Sequence, residues 1–234
     1  MLNLFPWPWL ALPFSLVCGV GCAALALEYV RLVAQGAEID GDTLRAALAA
    51  LCLRREPVRL PGGLAVFCAV ALTPAGLSFA LQPSVLAAAQ FVACCALLVL
   101  AVIDAHCRLL PDALTLPLMW AGLLLAWAGT GVALHDAVLA AAAGYVLLRG
   151  IDLAYQAWHG RTGMGGGDMK LVAALGAWLG WEVLPGVLLA ACIAAVLFVF
   201  LGAGRQLWRT AIPFGPFLAF AGASGLVGGP VVQF

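Results

Sequence analysis

Gly163-Met164-Gly165-Gly166-Gly167-Asp168-Met169-Lys170 stands where a polar link gives way to a long apolar segment. A carboxylate at a membrane boundary costs several kcal/mol when it is ionised and poorly solvated, so such a residue is usually kept for chemistry. Upstream, Asp104 ends another apolar run, in Val102-Ile103-Asp104-Ala105-His106-Cys107-Arg108-Leu109-Leu110-Pro111-Asp112. Two aspartates at the ends of two hydrophobic segments predict a membrane-embedded carboxylate pair held by helices.

The rest of the chain agrees with that setting. Its 234 residues are 65% hydrophobic and 9% charged, with a mean hydropathy of +1.09, whereas a soluble domain carries roughly 25% charged residues. The net charge of zero gives no reason to expect a nucleic-acid partner. In lipid every backbone group must be satisfied within the protein, and each crossing helix needs roughly 20 apolar residues. The expected fold is an all-α polytopic membrane protein with about eight transmembrane helices, at about 10–30, 62–82, 84–103, 113–130, 134–155, 169–182, 184–203 and 212–232, the sixth short. Residues 1–61 are expected to form the first helix and a cytoplasmic loop, and residues 62–234 a seven-helix membrane-embedded unit.

Charge sets the orientation. In this parsing all 11 Lys and Arg (Arg31, Arg45, Arg54, Arg55, Arg59, Arg108, Arg149, Arg161, Lys170, Arg205 and Arg209) fall on one side. His135, Asp136 and Glu182 fall on the other. The positive-inside rule places the basic side in the cytoplasm and both termini outside. Asp104, Asp112 and Asp168 share the basic side. Trp7, Trp9, Trp127, Trp178 and Trp181 near the outer boundary, and Trp158 and Trp208 near the inner one, read as an aromatic belt. The start, Met1 to Trp9, lacks a basic n-region and a clear cleavage site, and is expected to remain as an anchor.

Within the polar stretch 31–61, apolar residues recur at helical spacing over 43–54, with Asp42 or Thr43 as candidate cap, which predicts a short interfacial helix. The eight cysteines, at 18, 22, 52, 68, 94, 95, 107 and 192, contain no Cys-x-x-Cys pair. They are expected to fill helix packing, with no metal and no cofactor. His106 and Cys107 lie beside Asp104; His135 and His159 are expected to be solvated.

A carboxylate pair solves a definite chemical problem. An amide is unreactive and water is a poor nucleophile. Two carboxyl groups sharing one proton let the ionised one take a proton from water while the protonated one polarises the carbonyl. Such residues need only sit at the same depth on facing helices, as Asp104 and Asp168 are expected to do. Gly163 and Gly165 to Gly167 remove side chains where backbone must turn or a substrate strand must approach. The plain alternative is a loop followed by a helix capped by Asp168. A phosphate-binding loop lacks its strand and Walker pattern. Glycine-broken helices with intramembrane carboxylates also suit a transporter or proton channel, although clear inverted repeats are missing.

Gly165-Gly166-Gly167-Asp168-Met169-Lys170 resembles the Gly-x-Gly-Asp-x-Lys signature of prepilin peptidases, members of the GxGD class of intramembrane aspartyl proteases. Ile103-Asp104 with Leu109-Leu110-Pro111-Asp112-Ala113-Leu114-Thr115-Leu116-Pro117-Leu118 is similar to that family's first aspartate block, and Ile212-Pro213-Phe214-Gly215-Pro216-Phe217-Leu218-Ala219 to its final-helix motif. The resemblance runs from about residue 95 to 222, and the 64 residues between Asp104 and Asp168 suit it. It implies catalytic aspartates at Asp104 and Asp168. Asp112 is the rival for the first role, explained otherwise as the N-cap of the fourth span. Gly165, Gly167, Lys170 and Asp112 become residues that shape the site or meet substrate. Lys170 is read either as a snorkelling anchor or as a contact to substrate or dyad. The implied substrates are prepilin or pseudopilin precursors, cut after a Gly at the cytoplasmic boundary of a bacterial inner membrane. The family's longer, bifunctional members carry two Cys-x-x-Cys pairs after the first span and methylate the product with S-adenosylmethionine. Residues 31–61 hold only Cys52, so methyltransfer is not expected here.

Overall fold

The computed structural model describes residues 8–38, 41–53, 62–82, 84–201 and 213–228. These residues form α1 (Pro8–Ala34), α2 (Gly41–Leu53), α3 (Gly62–Leu81), α4 (Val85–Cys107), α5 (Asp112–Trp127), α6 (Leu134–His159), α7 (Gly166–Leu201) and α8 (Gly215–Gly228), and among the described residues there is no strand. Four helices are long and apolar enough to cross a membrane: α1 over Pro13–Ala34, α4, α6 and α7. Residues 66–81, α5 and α8 are shorter apolar helices.

The expected sixth and seventh spans are the two arms of α7, which break at Gly180, whose φ of 72° and ψ of 176° lie outside any helix. The interruption reverses the chain. Gly144 of α6 faces both Val172 and Leu184, whose side-chain atoms lie 3.0 and 3.2 Å from where its Cβ would be. In a straight helix those two residues would be about 18 Å apart along the axis. Only glycine adopts such a φ freely. Gly180 therefore folds α7 into two apolar arms, with the break beside Val132 of the α5–α6 link.

Two elements form the centre. Leu97 to Leu100 and Val102 to Asp104 of α4 are buried, as is every residue from Leu171 to Ala177 of α7. A helix apolar and buried on all sides belongs in the interior of a bundle. Around them, large apolar side chains face outward, among them Val17, Val70, Trp120, Leu124, Val146, Phe200 and Phe220. α6 presses close to α7 because Gly176 has no side chain: a Cβ there would lie 2.7 Å from the Ala140 backbone. α8 packs against both α4 and α7.

α2 forms over 41–53 as the spacing predicts, with Thr43 and Ala47 buried on one face. Asp42 lies in its first turn and pairs with Arg45 at 3.1 Å, and the Thr43 hydroxyl donates back to the Glu38 carbonyl. Trp127, Trp158 and Trp181 are exposed. Trp178 is not a belt residue: it is partly buried and its Nε1–H donates to the Leu118 carbonyl at 2.7 Å. Trp7, Arg54, Arg55, Arg59, Arg205, Trp208, Arg209 and Ile212 lie outside the described residues.

Candidate active site

Asp104 does not close α4. The helix runs one turn further, to Cys107, and Arg108 ends it in the left-handed region, its N–H donating to the Asp104 carbonyl at 2.8 Å; Ser84 caps its start, where the Ala87 N–H donates to the hydroxyl at 3.0 Å. Asp104 is 5% exposed. Its Oδ2 accepts the N–H of Gly215 at 3.0 Å. The first N–H groups of a helix have no partner within it, and Gly215, the first residue of α8, gives one of its own to this carboxyl. The fit requires glycine, since a Cβ at 215 would stand 2.7 Å from that oxygen.

Asp168 sits in the first turn of α7, where its N–H donates to the Gly165 carbonyl at 3.1 Å. Gly167 lets the turn seat against Leu110 of the α4–α5 link; a Cβ there would lie 2.8 Å from the Leu110 Cβ. Gly165 has room within the chain, with Asp168 Oδ2 at an ordinary 3.5 Å, and Gly166 faces open space. The two aspartates, from the two central helices, are close enough to interact electrostatically.

Asp112 is not the N-cap of α5. Pro111 holds that place with no side-chain cap bond, and Asp112 follows as the first helical residue. The Asp112 carboxylate instead receives both its contacts from Lys170 Nζ, at 2.6 and 2.7 Å. Lys170 thus joins the start of α7 to the start of α5, and both partners are partly exposed. The residue that looked like an anchor and the residue that looked like a cap are partners of each other.

Two contributors were not foreseen. Gly215 acts through its backbone N–H, which leaves no mark on side-chain chemistry. Asp152, near the end of α6 and 2% exposed, is the other. Its Oδ1 accepts the N–H groups of Gly163 and Met164 at 2.8 and 3.1 Å, and Oδ2 faces Arg149 at 3.3 Å. The signal available was a charged pair three residues apart inside an apolar span. His106 Nδ1 is bound to the Val102 carbonyl at 2.8 Å on its own helix. Among the described residues no group of three or more His, Cys, Asp or Glu is placed to hold a metal ion.

The ends of α4, α5, α6, α7 and α8 thus meet at one end of the bundle around two carboxyl groups, one fully buried and one partly so. Such a pair can share a proton, activate a water and polarise a carbonyl.

Known proteins resemble this part of the chain. The type IV leader peptidase family matches residues 91–200, which include Asp104, Asp112, Asp152 and Asp168. A prepilin leader peptidase/N-methyltransferase of Burkholderia pseudomallei (strain 1026b) is 49% identical over 146 residues, 62% of this chain and 47% of the relative. One from Aeromonas hydrophila is 49% identical over 138 residues, 57% of this chain and 47% of the relative. One from Dickeya chrysanthemi is 43% identical over 180 residues, 76% of this chain and 61% of the relative. The chain spans about half the length of the first of these curated relatives. No solved structure matches it.

Proposed function

We propose that the chain is a prepilin peptidase: an intramembrane aspartic endopeptidase that removes the short basic leader from type IV prepilin-like precursors, pilins or pseudopilins. The observation that carries this reading is the meeting of Asp104 and Asp168 at one end of the bundle, within the stretch that the leader peptidase family matches. Asp104 and Asp168 are the catalytic pair. One, ionised, takes a proton from water as the oxygen attacks the scissile carbonyl carbon. The other gives its proton to the carbonyl oxygen. Proton return to the departing nitrogen then breaks the C–N bond and releases leader and mature chain. The Gly215 N–H holds the Asp104 carboxyl in one orientation, so little reorganisation is needed when the substrate arrives.

Eight crossing segments, two of them the arms of α7, put both termini outside a bacterial inner membrane and the aspartate end of the bundle at the cytoplasmic boundary. The basic residues Arg108, Arg149, Arg161 and Lys170 come from the same helix ends and favour that orientation. A prepilin keeps its basic leader in the cytoplasm and its apolar helix in lipid, so the bond after its Gly lies at the depth of the two aspartates. Gly165, with space in front of it inside the protein, leaves the approach open to substrate backbone. Asp112 and Lys170 brace the site rather than react. The chain is proposed to cut without methylating, because residues 31–61 lack the paired cysteines of the bifunctional family members. Co-expression with a type IV prepilin tests the reading: a shorter product is expected on a gel, and an unchanged precursor would refute it.

A further inference from the structure

Asp152 has no part in the chemistry just described, yet it is buried more deeply than Asp104. An ionisable residue inside an apolar span is expensive to keep and calls for a use. Its surroundings show one. α6 ends at Gly160, left-handed at φ 68°, and α7 begins at Gly166. The link between them is gripped at its middle: Oδ1 of Asp152 takes the adjacent N–H groups of Gly163 and Met164, while Oδ2 is occupied by Arg149. One turn further along α6, the Tyr155 ring lies flat on His159, centroids 4.2 Å apart, and fills the space where a Gly163 side chain would be, 2.7 Å from its Cβ position. From Met164 only three residues, all glycine, lead to Asp168, the last two already in the first turn of α7. Glycine gives this stretch little stiffness of its own. Its course is set at one end by the Asp152 clamp and at the other by the first turn of α7, where the Asp168 N–H donates to the Gly165 carbonyl and Gly167 seats on Leu110.

We propose that Asp152 is a positioning residue for Asp168: by holding the Gly163 and Met164 N–H groups it fixes the glycine link and so keeps Asp168 in register with Asp104. This rests on the peptidase reading. Arg149 completes the device by occupying the second carboxyl oxygen, so the first stays turned toward the link. The role differs from general stabilisation of the fold, because it predicts a loss in turnover rather than in substrate binding.

The test uses the full chain purified in detergent, with amide hydrogen exchange of residues 160–167 in one arm and steady-state prepilin cleavage in the other. Asp152→Leu removes the acceptor. It is expected to speed exchange at Gly163 and Met164 by about tenfold or more and to lower kcat on the order of 10- to 100-fold with KM changed less than about threefold. Asp152→Asn keeps an oxygen facing both N–H groups and is expected to retain kcat within about threefold. Asp152→Glu guards against a Leu variant that fails to fold. It keeps the charge and the Arg149 partner but advances the acceptor by about one C–C bond, ~1.5 Å, and is expected to lower kcat without raising KM. Unaltered exchange at Gly163 and Met164 in Asp152→Leu would overturn the clamp. If the wild type cuts prepilin and Asp152→Glu cuts at the same kcat, the peptidase reading stands and the positioning role is overturned. If the wild type cuts no prepilin, the peptidase reading itself fails, whatever the exchange shows.

Discussion

Replacing Gly215 with alanine adds one methyl group at the most constrained point of the site. Its carbon would lie 2.7 Å from Oδ2, 2.8 Å from Cγ and 3.1 Å from Cβ of Asp104, against 3.4 Å or more for an ordinary contact. The carboxyl or the start of α8 must therefore retreat by about 0.7 Å to relieve the overlap. Neither is a loose chain end: Asp104 is buried on a central helix, and the other atom is backbone. A retreat of that size takes the Gly215 N–H to Asp104 distance, now 3.0 Å, beyond hydrogen-bond range. Loss of a hydrogen bond to a charged group is worth about 1.5–3 kcal/mol, and displacement of a reacting group by about 1 Å can cost on the order of a hundredfold in rate. Gly215→Ala is thus expected to insert normally and to lose on the order of a hundredfold in kcat/KM, measured with purified enzyme and a prepilin over a range of concentrations. Gly150→Ala, whose new methyl group meets nothing within 4 Å, serves as the control and should behave as wild type. A Gly215→Ala enzyme within about twofold of that control would refute the idea that the α8 N-terminus holds Asp104 in its working position.

Asp112→Asn and Lys170→Met should each cost less than about tenfold in cleavage, and the double variant no more than either, since a partly exposed pair contributes about 1 kcal/mol or less; a complete loss in Asp112→Asn would return it to the catalytic pair. Gly176→Val forces a side chain against the Ala140 backbone and should lower unfolding stability in mixed micelles by about 1–3 kcal/mol or more; an unchanged unfolding midpoint would contradict the close α6–α7 crossing. An impermeant thiol reagent added outside should reach cysteines introduced at 132–136 and miss those at 105–108 and 160–166; labelling at 160–166 would put the glycine link on the wrong side. Mass spectrometry of pilin processed by this chain with S-adenosylmethionine present should find an unmodified new N-terminus, and one added methyl group would show that methyltransfer does not need the paired cysteines.

The apolar helices were legible because lipid imposes a length and a composition on any crossing segment, whatever its neighbours. α2 was legible too, from apolar residues at helical spacing behind Asp42. Asp104 and Asp168 stood out as charges at the margins of apolar runs. What escaped was everything decided by backbone. The Gly215 N–H reaches Asp104 across 111 positions of sequence and leaves no trace in side-chain pattern. The reversal between the sixth and seventh spans was expected close to where it occurs, but not its form: one dihedral at Gly180, two residues before the end assigned to the sixth span, makes it while the chain stays helical on both sides. Asp112 looked like a cap for a local reason, its place before an apolar run; a partner 58 residues away, Lys170, took its carboxylate instead. Asp152 was visible as a residue but not as a clamp, since its ligands are two amide groups in a glycine-rich link. Trp178 followed the same rule: its position near a span end read as a belt, while its ring nitrogen found the Leu118 carbonyl inside the bundle.

Cleavage of a type IV prepilin by the purified chain and by its Asp104→Asn and Asp168→Asn variants, all shown to be inserted and folded, tests the central claim most directly. Asparagine keeps the shape of each side chain but cannot share the proton. The wild type is expected to yield mature pilin and free leader, and each variant to leave the precursor intact. Wild-type cleavage by either asparagine variant would contradict the account, because a two-carboxylate mechanism cannot run on one.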